Sequence, residues 1–418
     1  MPMMSARGAK ALVIGLGLAA LCGFLAWRVV RPLNIFVVSE AFERPVPTSA
    51  IPPPLATLRA GECAACHRAF HDEWSTTIHS RAWTESYFQA DWRFDGAQQI
   101  CKNCHIPLDR QQEHLVLGFR DKDKWRPILA PNPLFDPDLQ REGVTCAACH
   151  LREGRILGVR GTPAPHPVER LTDPNQICLR CHVVGGERWD TFYRLPPCGT
   201  VAEIRATSAG DAPSAPDTLP FAARGEIAVS EVAALGCVEC HMPATVRPVA
   251  DGGTPRPVRR HLWRGGHDPE MVRNALDVRM AQATGAAAGK RAVTLTLTNV
   301  GASHYVPTGT PDRHLTVRLR LLDAAGAPIG EEEHVLKRTV LWRPFIVDLW
   351  DTRLPRGAPR VFRLELRVDG VPRTAAVEAV VTYHLLDEAR RRRIGYENTE
   401  PIAYEVFRAR VALPPGTP

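Results

Sequence analysis

Five copies of one pattern, Cys-x-x-Cys-His, lie between residues 63 and 241 of this 418-residue chain. Two thiols three residues apart can both bond to the vinyl edge of one porphyrin, and the histidine that follows then lies below the iron as an axial ligand. The pattern is therefore a haem-attachment signal. The chain contains 12 Cys and 15 His. At those frequencies chance would yield roughly 0.01 copies, so five copies are not a coincidence.

The fifteen residues of these motifs are the predicted cofactor-binding residues. They are Cys63, Cys66 and His67; Cys101, Cys104 and His105; Cys146, Cys149 and His150; Cys178, Cys181 and His182; and Cys237, Cys240 and His241. Zinc ribbons also use Cys-x-x-Cys, but they do not need a histidine directly after the second cysteine of every copy. The sequence therefore predicts five covalently attached haems c, with the five motif histidines as proximal iron ligands.

Two cysteines lie outside the motifs, and we predict no disulfide between them. Cys22 is inside an apolar run, far from Cys198 in any plausible topology. A thiolate from Cys198 could cap a haem iron, but a lone buried thiol is the favoured interpretation.

The N-terminus predicts a membrane segment. An apolar run from 11 to 27 follows Arg7 and Lys10 and precedes Arg28 and Arg31. Its length suits either a short membrane-spanning helix or a long signal-peptide core, and the lack of a small-x-small cleavage site favours an uncleaved anchor. Because covalent haem attachment takes place outside the cytoplasm, we expect a single-pass inner-membrane protein with its bulk in the periplasm.

The charge and composition exclude two classes of protein. With 44% hydrophobic and 23% charged residues, the chain is globular in composition and not disordered. The formal charge is +7. Each oxidised haem contributes about −1, which brings the holoprotein to about +2, so the basic balance does not indicate a nucleic-acid partner.

The residue pattern along the chain predicts a mainly α, loop-rich haem domain followed by an antiparallel β-sandwich. The stretch from Cys63 to His241 leaves roughly 36 residues per haem, too few for a side-chain core around each one. After residue 290, apolar residues alternate with polar ones, as at Val293, Leu295 and Leu297. The predicted segments are an anchor or uncleaved signal at 1–32, a Pro-rich spacer at 33–58, a pentahaem domain at 59–285 and a sandwich at 286–418. Residues 200–222 are expected to form a surface loop.

The sixth iron ligand decides what each haem can do. Iron held by one histidine can bind a substrate, whereas iron with a second histidine is a low-spin electron carrier. Ten histidines lie outside the motifs, enough for five such caps, and methionines are scarce. Ligation by two histidines is therefore the expected state.

Several segments between the motifs resemble the multihaem cytochromes c related to the tetrahaem cytochrome c-554 of nitrifying bacteria. These segments are His79-Ser80-Arg81-Ala82, Gly143-Val144-Thr145, Cys240-His241-Met242-Pro243, residues 260–268 and residues 301–309. The resemblance covers roughly residues 60 to 315 and departs from that carrier in having five motifs and an appended sandwich. It favours His79, His261, His304 and His267 as distal ligands. His166 lies between two prolines, and the sequence favours a distal ligand and an ordinary surface histidine equally at this position.

We therefore expect a membrane-anchored periplasmic cytochrome that relays electrons between redox protein partners, with no catalytic residue. The rival hypothesis is an oxidoreductase with one five-coordinate haem acting on a small nitrogen or sulfur compound. All five motifs end in His, which argues against the Lys-ligated catalytic haem of ammonia-forming nitrite reductases. A quinol dehydrogenase is disfavoured because the proline spacer would hold the haems away from the bilayer.

Overall fold

The computed structural model describes residues 6–30, 44–120, 125–159, 164–182, 191–192, 199–208, 236–283, 290–367 and 376–413. Of these, about 31% are helical and 32% are in strands. The prediction of a mainly α chain was therefore wrong. Short hairpins return the chain between the motif helices, and the C-terminal part is a pair of sheets.

The helices other than the first are short. They are α1 (Ala6–Val30), α2 (Ala60–Ala64), α3 (Arg68–Ser75), α4 (Ser86–Phe94), α5 (Gln99–His105), α6 (Pro137–Arg141), α7 (Cys146–His150), α8 (Asn175–His182), α9 (Thr200–Ser208), α10 (Cys237–His241), α11 (Pro269–Ala275) and α12 (Glu388–Arg393). Four of them, α5, α7, α8 and α10, end at a motif histidine. Residues three apart share one face of a helix, so each motif presents both thiols to the same side.

The strands form five sheets among the described residues. The strands are β1 (His114–Phe119), β2 (Pro127–Pro131), β3 (Leu151–Arg152), β4 (Arg155–Gly158), β5 (Val168–Arg170), β6 (Thr191–Phe192), β7 (Ala244–Arg247), β8 (Arg256–Arg259), β9 (Leu276–Ala283), β10 (Lys290–Asn299), β11 (His314–Leu322), β12 (Pro328–Leu341), β13 (Ile346–Asp351), β14 (Arg360–Arg367), β15 (Ala376–His384) and β16 (Ala403–Ala412). Hairpins β1–β2 and β7–β8 lie within the haem region.

Two larger sheets make up the C-terminal part. One has six strands in the order β16-β15-β11-β12-β13-β6, and the other has three in the order β14-β10-β9. Alternate side chains of β10 and β11 point into the space between them, where Leu295, Leu297, Leu315 and Leu319 are fully buried. This buried set is the apolar half of the alternation in the sequence.

The proline-rich segment after the anchor packs on the haem region along part of its length. Val46 is buried, and its amide donates to the Pro107 carbonyl over 2.7 Å. The Thr48 amide donates to the Asp109 carboxylate over 2.8 Å. Residues 46–48, within the segment predicted as a Pro-rich spacer, therefore pack as part of the haem region.

Residues 200–222 also differ from expectation. Thr200–Ser208 forms α9, and its inner side is buried. The remainder of the expected loop, from 209, lies outside the described residues, as does Cys198.

The segment carrying His79 is packed against Gly143. This glycine has φ +61°, and a Cβ there would lie 2.7 Å from the His79 carbonyl oxygen and 2.8 Å from the Ala82 amide nitrogen. The next amide, of Val144, donates to the same carbonyl over 2.9 Å. A glycine is required here by both backbone conformation and close approach.

We predict that Gly143→Ala is more destabilising than Gly357→Ala. Both glycines have positive φ, but a Cβ at Gly357 would meet nothing within 4 Å. The strain of a left-handed alanine, roughly 1 kcal/mol, is common to both. The clash at Gly143 should add about 1–3 kcal/mol, measured by denaturant unfolding followed by circular dichroism. Equal losses in the two variants would contradict the close packing.

Candidate haem centres

One cavity of about 2590 Å³ is lined by the thiols and histidines of all five motifs. Apolar side chains such as Leu58, Phe70 and Trp74 complete its wall. The short elements around it thus enclose a shared space, which fits porphyrins that supply most of the core.

Four motif histidines each face a histidine from outside their own motif. The ring centroids are 6.3 Å apart for His67 and His166, 5.8 Å for His150 and His261, 6.5 Å for His182 and His79, and 6.3 Å for His241 and His304. A metal–imidazole nitrogen bond is about 2.0 Å, and the ring centre lies about 1 Å further on, so one iron between two imidazoles separates the centroids by roughly 6 Å. The residues present therefore fit an iron in each gap.

The orientation of the rings fits the same arrangement. In several of these histidines Nδ1 lies 2.6–3.0 Å from a backbone carbonyl, which can only accept a hydrogen bond. The pairs are His67–Val249, His105–Ala82, His150–Leu157, His241–Arg264, His261–Arg259 and His304–Tyr305. Nδ1 must therefore carry the hydrogen, which leaves the Nε2 lone pair for a metal.

Desolvation by the surrounding protein favours the neutral form of four of these rings. It lowers the pKa of His79 to about 3 and that of His105, His182 and His261 to about 4 each. Only a neutral imidazole can donate a lone pair to iron, so desolvation favours the ligating form at neutral pH.

The second motif differs from the other four. All fifteen histidines lie in the described part of the chain, and none faces His105 at the spacing of the other pairs. Instead Phe88 of α4 stacks flat on the His105 ring, with centroids 3.5 Å apart and planes 8° from parallel. Phe88 thus fixes the orientation of His105 without offering iron a ligand.

His267, also expected as a distal ligand, is not placed opposite a motif histidine. Its Nε2 lies 3.4 Å from a guanidinium nitrogen of Arg313. Burial, followed by the Arg313 charge, lowers the pKa of His267 to about 3. The arginine therefore occupies the lone pair that a metal would need.

Contacts between thiols of different motifs give the order of the motifs in space. Cys63 contacts Cys146, Cys104 contacts Cys181, and Cys178 contacts Cys237. Cys149 also lies close to Cys181. The first motif is thus beside the third, and the fourth is beside the second, third and fifth.

Residues 62–124, which contain the first two motifs, match the family model described as cytochrome c554 and c-prime. The chain is therefore similar, over this segment, to the multihaem cytochromes c related to cytochrome c554. Its fold is similar to the crystal structure of a penta-heme cytochrome c552 from Thermochromatium tepidum, with 18% identity, a TM-score of 0.58, and coverage of 85% of this chain and 98% of that chain. The family resemblance and the covalent attachment of haem c are thereby confirmed.

A second solved structure aligns with a smaller part of the chain. The X-ray structure of the Northeast Structural Genomics Consortium target SoR45 aligns with 33% of this chain and 85% of that chain, at 14% identity and a TM-score of 0.17. None of the curated proteins compared with this cytochrome matches it.

A buried carboxylate holds the His261 segment of the cytochrome. Glu73 of α3 accepts bonds from Arg247 over 2.7 and 2.8 Å, from Arg260 over 2.6 Å and from the His261 amide over 2.8 Å. Burial by itself would raise the pKa of Glu73, but these donors outweigh it and lower the pKa to about 2. The ionised carboxylate fixes the backbone at His261. The ring of Phe70 lies between His261 and Arg247.

A second carboxylate, Glu203 of α9, holds the His304 segment. It is 1% exposed. It accepts a hydrogen bond from the Arg353 guanidinium over 2.6 Å and one from the Tyr305 amide over 3.2 Å. Arg353 also donates to Asp351 over 2.7 Å and to the Pro307 carbonyl over 3.1 Å. Glu73 and Glu203 were missed in the sequence because neither belongs to a motif, and nothing local indicates their distant partners.

We predict that Glu203→Gln destabilises the fold by about 3 kcal/mol or more, because it leaves the buried Arg353 guanidinium only partly neutralised. Glu388→Gln is the control, since its pair with Arg391 is half-exposed and should cost less than about 1 kcal/mol. Denaturant unfolding gives both values, and the visible spectrum of the folded variants reports on haem ligation. Similar losses of unfolding free energy in the two variants would contradict a stabilising role for the buried Glu203–Arg353 pair.

Proposed function

We propose that this cytochrome is a membrane-anchored, periplasmic pentahaem electron carrier that relays electrons between redox protein partners. The observation that supports it best is the set of four opposed histidine pairs, 5.8–6.5 Å apart. Each pair would hold one haem iron with both axial positions filled. Such a centre changes redox state without binding a substrate.

The assignment of residues follows from that spacing. Cys63, Cys101, Cys146, Cys178 and Cys237, each with its partner three residues on, would hold five haems as thioethers. His166 would cap the first haem, His261 the third, His79 the fourth and His304 the fifth. The protein contributes spacing, ligation and a low-polarity surrounding, and the bound haems supply the redox chemistry.

The thiol contacts support a branched relay. Since the fourth motif is beside the second, third and fifth, its haem would be the junction through which electrons pass between the branches. Close packing of this kind allows several electrons to be stored and delivered by one molecule.

The N-terminal helix supports the location. Lys10–Val29 is long and apolar enough to cross a membrane, although a signal sequence would pass the same test. An uncleaved helix would keep the relay at the periplasmic face of the inner membrane, within reach of donor and acceptor proteins.

One observation favours a second candidate function at the second haem. His105 faces no histidine, so its iron would keep an open position. An iron with an open position can bind a small ligand. The second candidate is therefore an oxidoreductase acting on a small nitrogen or sulfur compound there, with the other haems as its electron supply.

Electron paramagnetic resonance of the oxidised, haem-loaded chain tests the ligand assignment. We expect four low-spin haems and one high-spin haem per chain, because four of the five motif histidines have an opposed partner. Five low-spin haems would contradict the assignment at His105. Cyanide or nitrite should convert the high-spin signal alone, and steady turnover of nitrite or hydroxylamine would favour the oxidoreductase over the pure carrier.

Alanine substitution of each proposed distal histidine tests the ligation of one haem at a time. His79→Ala, His166→Ala, His261→Ala and His304→Ala should each add one high-spin haem, read from the same spectra. The control is His267→Ala, because His267 contacts Arg313 and faces no motif histidine. A new high-spin signal in the control, or none in a cap variant, would reject that assignment.

A further inference from the structure

The C-terminal end of α1 is in direct contact with one turn of the six-stranded sheet. This turn joins β12 to β13. The Arg343 guanidinium donates to the Val29 carbonyl over 2.8 Å, and Arg28 donates to the Pro344 carbonyl over 3.1 Å. Arg28 also lies over the Phe345 ring at 5.9 Å. Val29 is the last residue of the apolar span, so the turn lies at the level where that span ends.

The surface around this turn is apolar and partly aromatic. Leu341, the last residue of β12, is 41% exposed, and Phe192 of the edge strand β6 is 53% exposed. The Phe192 and Phe345 rings meet edge to face at 6.4 Å. We name Phe192, Leu341, Arg343 and Phe345 the tip surface. Leu349 and Trp350 continue it along β13, where they are 48% and 57% exposed.

Among the residues that the structure describes, the charges near the tip surface are predominantly basic. The two carboxylates of β13 are paired internally, Asp348 with Arg338 over 2.7 Å and Asp351 with Arg353 over 2.7 Å. Arg343 lies at the turn itself, and Arg28, which is 9% exposed, packs against the same turn. Exposed aromatic and aliphatic side chains beside arginines suit the interfacial layer of a bilayer with anionic headgroups.

We propose that the tip surface is a membrane contact that rests in the headgroup layer beside α1 and fixes the height and tilt of the haem region above the bilayer. The inference rests on the proposed function, because it requires α1 to be an uncleaved anchor. Contact at α1 alone would not fix the orientation of the domain. Contact at both α1 and the tip surface would hold it in one orientation for its partners.

Photo-crosslinking of the full haem-loaded chain tests this contact. Benzoylphenylalanine replaces Leu341 in one variant and Ile329 in the matched control, and both are reconstituted in phosphatidylcholine–phosphatidylglycerol vesicles. Ile329 lies on the same strand, is 48% exposed and sits twelve residues away, about 40 Å along the strand. We expect at least tenfold more lipid adduct on the Leu341 probe, measured by mass spectrometry of the labelled peptide. A Phe192 probe should behave like the Leu341 probe and serves if the latter variant does not fold.

Flotation of the same vesicles separates the two proposals. A chain that floats with its α1 sequence intact, and whose Leu341 and Phe192 probes give no more lipid adduct than the Ile329 probe, overturns the membrane contact and leaves the anchor standing. A chain that has lost α1, does not float and forms no lipid adduct overturns both. Lipid adducts confined to the tip probes in a floating chain support both.

Discussion

The fold depends on holding four pairs of imidazole rings with their centroids about 6 Å apart. An iron atom tolerates little variation in this spacing, because each metal–nitrogen bond is close to 2.0 Å. None of the helices described in the haem region is longer than nine residues, too short to set the distance by itself. The spacing is set by carbonyl acceptors at Nδ1, by carboxylates that fix the backbone of distal segments, and by close approaches such as that of Gly143 to His79. The short helices and hairpins around the cavity hold the rings at this spacing.

The buried carboxylate Glu203 links the C-terminal sheets to the segment that carries His304. Glu203 and Arg353 are 150 residues apart, and their ion pair connects α9, the His304 segment and the end of β13. Arg390 of α12 does the same for α4, reaching Asp91 over 2.5 Å and Asp95 over 2.8 Å. Phe88 on that helix supports His105. The sandwich is therefore part of the structure that orients haem ligands, although it contains no motif of its own.

The sequence was informative wherever the chemistry is local. Each attachment motif is complete within five residues, so five proximal histidines could be predicted, and the alternation at Val293, Leu295 and Leu297 corresponds to β10. Pairing was not predictable, because His79 follows the first motif yet faces His182 of the fourth, a relation set only by the fold. Hairpin β7–β8 was missed because Ala244–Arg247 and Arg256–Arg259 are short and lack alternation. Helix α9 was missed because residues 200–222 as a whole are rich in Ala, Ser, Pro and Asp, and because the position of the helix depends on the distant Arg353.

The second motif differs from the other four because its histidine, His105, has no opposed histidine. Spare histidines were available: His267 lies in the cavity wall, and His314 and His384 stack at 4.2 Å within the sheet. His267 contacts Arg313, and His314 and His384 contact each other. At the second motif, Phe88 stacks on the His105 ring, whose Nδ1 donates to the Ala82 carbonyl. A relay that needed only electron transfer at all five centres would gain from a fifth cap, since the ligands exist in the chain. The unpaired His105, beside the fourth motif through the Cys104–Cys181 contact, is therefore where ligand chemistry could join an electron relay.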